Sequence, residues 1–101
     1  MSLRVEVDRR KIADFCRKWK IRELAVFGSA LREDFGPESD VDVLVTFGSG
    51  GGITFDNRPD MIDELSAIFG RPVDLVEQNA IRNPFRRRSI LRNREILVHG
   101  G

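Results

Sequence analysis

Residues 40–46, Asp-Val-Asp-Val-Leu-Val-Thr, constrain the fold more than any other stretch. Val41, Val43 and Val45 alternate with Asp40, Asp42, Leu44 and Thr46. An extended chain sends successive side chains to opposite faces, so the valines line one side of a strand and both aspartates emerge on the other. The valine face is expected to pack against the core, leaving two carboxylates side by side on the opposite face. The chain that carries this strand has 101 residues, enough for one hydrophobic core and too few for two independently cored lobes, so a single domain over residues 1–101 is expected. Hydrophobic residues at 41% and charged residues at 33% exclude a disordered or fibrous chain.

The other elements follow from periodicity and punctuation. After Asp8, a plausible helix N-cap, Ile12, Phe15, Cys16 and Trp19 recur at helical spacing with Arg and Lys on the other face. Leu24-Ala25-Val26-Phe27 is a short apolar run stopped by Gly28-Ser29, which reads as a buried strand. The segment Phe47–Phe55 holds Gly48, Gly50, Gly51 and Gly52 and is expected to be a mobile loop. Pro59 suits the first turn of a helix with Ile62, Leu65, Ile68 and Phe69 on one stripe and Gly70 as its stop. Pro72–Val76 reads as a third strand, and Asn83-Pro84 as the cap and first residue of a basic helix reaching about Asn93. Ile96–Val98 is expected to form a last strand. The fold class is therefore α/β (α+β): a small mixed sheet backed by helices.

Charge is segregated along the chain. Residues 1–22 carry eight Lys/Arg against three acids, residues 23–80 three against twelve, and residues 81–94 six against none, so a net charge of +1 hides an acidic middle between basic flanks. Such a distribution suits cations bound centrally and anionic groups held by the flanks, against the plainer reading of solvated helix faces. Cys16 is the only cysteine and His99 the only histidine, which excludes a disulfide framework and a Cys/His zinc site. No apolar run approaches the roughly 18 residues of a membrane helix, and the N-terminal stretch is charged by Arg4, so a cytoplasmic address is expected.

The chemistry-bearing constellation is Gly28-Ser29, ten residues, then Asp40-Val41-Asp42, with Asp74 on a separate strand. Gly28 lets backbone approach a ligand, and Ser29 starts a helix whose free N–H groups and dipole favour phosphate. Arg32, about one turn on, can reach the same phosphates by a forked hydrogen bond. If Asp74 joins Asp40 and Asp42, each like-charge pair at ~4 Å repels by roughly 4 kcal/mol at an effective dielectric near 20, so a tight triad should raise a pKa or recruit a cation. Magnesium, which takes hard oxygens and completes its shell with water and phosphate, is the economical solution, and two ions ~3.5–4 Å apart can clamp an in-line displacement.

This spaced motif, with Leu24–Phe27 before it and Val73-Asp74-Leu75-Val76 after it, resembles the minimal nucleotidyltransferase family of the DNA polymerase β-like superfamily over nearly the whole chain. The resemblance implies a nucleoside triphosphate held with Mg²⁺ and transfer of a nucleoside monophosphate to a hydroxyl, with pyrophosphate leaving. It assigns Gly28 and Ser29 to the triphosphate, Asp40 and Asp42 to both metals, and Asp74 to one metal and to deprotonation of the acceptor. Arg32 matches a frequent basic position less specifically, and Ala30 matches the small residue after Gly-Ser. Members are commonly antitoxins paired with a HEPN-domain ribonuclease toxin, which implies transfer of AMP from ATP to a toxin hydroxyl, a tyrosine, blocking the toxin's RNA site. Two other readings stand beside it: an antitoxin that acts mainly by binding its partner, and a nucleotidyltransferase for a small molecule such as an antibiotic or for an RNA end.

The remaining conspicuous residues have plain readings. Gly48-Ser49 is a loop and not a second phosphate site, Glu33 and Asp34 are surface acids, and Phe15, Cys16 and Trp19 are core rather than a base pocket. Arg82, Arg86, Arg87, Arg88, Arg92 and Arg94 form a solvated helix face by default; no aromatic interleaving supports direct nucleic-acid binding. His99 is expected to be a terminal surface residue. A homodimer or a mixed complex with the toxin is compatible with a domain this small.

Overall fold

The computed structural model describes residues 7–28 and 40–99. Its elements are α1 (Arg9–Trp19), β1 (Ile21–Phe27), β2 (Val41–Phe47), α2 (Arg58–Phe69), β3 (Val73–Glu77), a 3-10 turn (Gln78–Ala80), α3 (Pro84–Arg92) and β4 (Glu95–His99). The four strands form one mixed sheet in the order β3-β2-β1-β4, with β2 and β3 parallel and the other pairs antiparallel. This is the α+β arrangement expected from the sequence. The helix expected to start at Ser29, with Ala30, Arg32, Glu33 and Asp34, lies outside the described residues.

Local chemistry sets the helix ends. The Asp8 carboxylate accepts from the N–H groups of Arg10 (3.0 Å) and Lys11 (3.3 Å), occupying two donors that have no partner within α1. α1 ends on Lys20 in the left-handed region (φ 60°), which lets β1 begin at the next residue. Thr54 and Asn57 exchange hydrogen bonds of 2.7 and 3.1 Å just before α2, and Gly70 ends that helix at φ 69° with its N–H on the Ser66 carbonyl. At α3 the Asn83 side chain accepts from Phe85 N–H (2.9 Å) and Arg86 N–H (3.1 Å), and Pro84 takes the first turn.

The valine face is core, as alternation predicts. Val41, Val43 and Val45 are fully buried, and Leu24, Val26, Val73, Leu75 and Leu97 are buried beside them under α1 and α2. α2 inserts Met61, Leu65 and Phe69, spaced one turn apart; Ile62 and Ile68, which the sequence pattern put on the same stripe as Leu65 and Phe69, are flanking and half-buried. Phe15 and Cys16 are buried, and Trp19 packs partly buried with its ring 6.4 Å from that of Phe15. Burial raises the Cys16 thiol to about 11, so it stays protonated at neutral pH. The opposite face has a smaller cluster of Phe27, Leu44, Ile81 and Ile90, supported by Val76 and Leu91 of α3's neighbourhood. Leu44 is therefore core as well, a role that its position among aspartates and threonine hides.

Several boundaries differ from expectation. β1 starts at Ile21: the charged Arg22 and Glu23 interrupt the apolar run, and the pairing with β2 shifts register between Ile21 and Glu23 but continues to Phe27. Phe47 belongs to β2, and the glycine segment after it is tied at its start: Gly48 N–H donates to the Lys20 carbonyl (2.9 Å) and Gly51 N–H to the Gly48 carbonyl (3.2 Å). His99 is exposed, as expected, but it belongs to β4 rather than to a tail and lies 3.7 Å from Glu23, which also pairs with Arg94 at 3.5 Å. Both outer strands are met by an arginine from a helix start: Arg58 donates to the Leu75 carbonyl of β3 (2.7 Å) and Arg9 to the Leu97 carbonyl of β4 (3.4 Å). Guanidinium groups at these positions occupy acceptors that an edge strand otherwise offers to another chain. No helix among the described residues is long and apolar enough to cross a membrane.

Candidate active site

The site is assembled by register. Phe27 pairs with Asp42 across β1 and β2, and Asp42 pairs with Asp74 across β2 and β3. Neighbouring strands run about 4.8 Å apart, so Asp42 and Asp74 project from adjacent backbones on the same face, opposite the valine core. Asp40 stands just ahead of β2, where Val41 N–H donates to the Pro72 carbonyl at 2.9 Å and continues the β2–β3 pairing to the strand mouth. Asp40 and Asp74 are exposed and Asp42 is half-buried. Of the sequence-predicted set, Gly28, Asp40, Asp42 and Asp74 fall within the described residues, while Ser29 and Arg32 lie outside them.

Gly28 closes β1 against this pair. Its φ of 68° is a left-handed conformation that glycine adopts without strain, and a Cβ there would sit 2.3 Å from Asp42 Oδ2. The missing side chain thus leaves backbone directly against a carboxylate, the close approach that a phosphate cradle requires. Deeper on the same face, Thr46 Oγ1 donates to Gln78 Oε1 at 2.7 Å, joining β2 to the turn that leads into α3.

The carboxylate pair suits a hard divalent cation. Among the described residues no three His, Cys, Asp or Glu side chains converge into a ready-made metal cage. Magnesium, unlike zinc, is commonly held by one or two carboxylates with water and phosphate completing the shell, so an open acidic pair beside a bare glycine fits it better than a closed cage would. A cavity of about 600 Å³ lies at the other end of the sheet, beside Cys16, Lys20, Ile21, Gly48 and Val98. It has no acidic lining residue and is a poor place for metal chemistry.

Sequence reasoning missed the Glu23–Arg94–His99 group, the two edge-facing arginines and the Thr46–Gln78 link. Each joins residues far apart in the chain, and only the strand order β3-β2-β1-β4 brings them together.

The sequence matches the nucleotidyltransferase domain family over residues 9–97, and the chain belongs to that family. It is 36% identical over 73 residues to a candidate protein adenylyltransferase of Methanocaldococcus jannaschii, spanning 72% of this chain and 73% of the relative. Among solved structures, a candidate minimal nucleotidyltransferase superposes with a TM-score of 0.70 at 28% identity, covering 86% of both chains. A chain from the complex of the MNT antitoxin with the tri-AMPylated HEPN toxin of Shewanella oneidensis shares the fold, with a TM-score of 0.62 at 18% identity over 90% of this chain and 69% of that one. The protein is a nucleotidyltransferase with a DNA polymerase β-like fold.

Proposed function

We propose that this nucleotidyltransferase transfers AMP from ATP, with Mg²⁺, to a hydroxyl of a partner HEPN-domain toxin, a tyrosine, and so acts as the toxin's antitoxin in the cytoplasm. The observation that carries the reading is the register of Asp42 with Asp74, with Gly28 backbone pressed against the Asp42 carboxylate. The candidate adenylyltransferase relative supports the adenylyl group and the AMPylated HEPN complex supports the acceptor.

In this reading Gly28, Ser29 and Arg32 hold the triphosphate, and Asp40, Asp42 and Asp74 hold the metal. When bound, Mg²⁺ neutralises charge developing on the phosphates and lowers the pKa of the acceptor hydroxyl. Asp74 is exposed at the open edge of the pair, where it accepts the hydroxyl proton and passes it to solvent. The acceptor oxygen forms a bond to the α-phosphorus as the bond to the pyrophosphate oxygen breaks, and pyrophosphate leaves. Fixing both reactants on a rigid sheet face supplies the orientation.

The test incubates the purified protein with α-labelled ATP, Mg²⁺ and the HEPN-domain protein of the same genome. Label is expected on the HEPN protein and absent with Asp40→Asn/Asp42→Asn; equal labelling by that variant overturns the assignment. A second reading, restraint by binding alone, is favoured by the exposed arginines of α3. It predicts that Asp42→Asn still restrains the toxin as well as the unaltered protein does.

A further inference from the structure

Helix α3 carries a surface that neither the core nor the acidic pair uses. Phe85 is 80% exposed, and Arg82, Arg86, Arg88 and Arg92 are exposed around it. Phe85, Arg88 and Arg92 share one helix stripe by their spacing of three and four residues, spanning about 10 Å of helix. A groove of about 550 Å³ runs beside the stripe, lined by Pro84, Arg87, Arg88, Leu91 and Arg92. Residues 78–94 contain no acid, and among the described residues none of Arg82, Arg86, Arg87, Arg88 or Arg92 forms an ion pair. The helix itself is fixed, by the Asn83 cap at one end, by Ile90 in the Phe27–Leu44 cluster, and by Asn93 Nδ2 donating to the Ser89 carbonyl at 2.9 Å at the other.

Its placement matters. Ile90 packs on Phe27 and Leu44, which share the sheet face of Asp42, and β4 leaves α3 with Glu95 paired to Val26, one residue from the Phe27–Asp42 pair. A protein seated on α3 therefore lies on the side of the sheet where Asp42 and Asp74 open. We infer that the outer face of α3 docks the acceptor protein through an acidic patch with an apolar socket for Phe85. The inference rests on the proposed reading that the acceptor is a protein.

Two features favour a protein over RNA. All six basic residues of 81–94 are arginine and none is lysine, the bias of protein interfaces, where Arg and aromatic residues are enriched and Lys is depleted. A single exposed Phe beside Pro84 and Leu91 offers one anchor and a groove rather than the run of stacking rings that single-stranded RNA uses.

The experiment measures label transfer to the HEPN-domain protein at increasing acceptor concentration, using Arg88→Glu/Arg92→Glu, Phe85→Ser and a control of equal charge change, Arg10→Glu/Lys11→Glu, on α1 across the sheet. The α3 variants are expected to raise KM for the acceptor about tenfold or more, with kcat within about twofold and the thermal shift by Mg²⁺–ATP retained. Added salt is expected to raise KM for the unaltered protein and to leave the charge-reversed α3 variant nearly flat. Wild-type KM in both α3 variants overturns the inference, as does an equal loss in the α1 control. It is also overturned if a single-stranded RNA 20-mer binds the unaltered protein and loses affinity in the α3 charge variant while transfer to the acceptor is unaffected. If the unaltered protein labels no HEPN protein, the functional reading itself fails, a result distinct from unchanged KM.

Discussion

Among the described residues the two faces of the sheet differ in how completely they are covered, and the difference separates stability from chemistry. Under α1 and α2, fifteen buried side chains form one continuous cluster with no polar member, and the basic residues of α1 are partly engaged, Arg17 with Asp14 and Lys18 with Glu64 at 2.9 Å. On the other face the described residues form a smaller cluster, Phe27, Leu44, Ile81 and Ile90, under α3, and toward the strand mouth Asp42 and Asp74 stand in register. A charge cannot be buried unpaired without a cost of several kcal/mol, so carboxylates proposed to hold a cation must lie where covering is incomplete. The closed face supplies the rigidity that holds the open one.

This contrast breaks if the two faces respond alike to substitution. Asp74→Asn is expected to lower transfer by about 10²–10⁴-fold, the range for a lost proton acceptor, while the midpoint of urea unfolding moves little because the side chain is exposed. Met61→Ala is its mirror: the residue is fully buried in the closed face, so unfolding free energy falls by about 2–5 kcal/mol while transfer per folded molecule is nearly unchanged. Gly28→Ala stands between them. It places a methyl group 2.3 Å from Asp42 Oδ2 at a backbone angle that alanine resists, so transfer drops by about 10²-fold with a stability loss of about 1–2 kcal/mol.

The smallest effect is a pH dependence on the closed face. The Cys16 thiol is raised from 9.0 to about 11 in the folded protein by burial, so the folded state holds this proton more tightly than the unfolded chain does. Its contribution to stability is complete below pH 9 and is lost as pH rises from 9 through 11. Urea unfolding of the native chain and of Cys16→Ala across that window checks it: the stability difference between them is expected to shift by roughly 1–3 kcal/mol toward the variant. A difference independent of pH would show that the thiol titrates alike in both states.

Much of this division is legible from the chain. The alternation of Val41, Val43 and Val45 with Asp40 and Asp42 places core and carboxylates on opposite faces, and the caps Asp8, Asn83 and Gly70 read directly because each meets its backbone partner within a few residues. Leu44 does not read as core, because its burial comes from Ile81 and Ile90, which reach it only through the fold. Met61 is hidden for a related reason: Ile62, Leu65, Ile68 and Phe69 form an acceptable stripe by themselves, and which side of α2 meets the sheet depends on where β2 and β3 place it.

By itself the sequence determined which residues alternate and where helices start and stop, since these depend on short-range sterics and spacing. Only the tertiary structure decided that β3 lies parallel to β2 with Asp74 level with Asp42, that α3 packs Ile90 on the face of Leu44 and Asp42, and that Arg86, Arg88 and Arg92 of α3 are exposed. Strand order and register are settled by packing among segments distant in the chain, and no local preference encodes them.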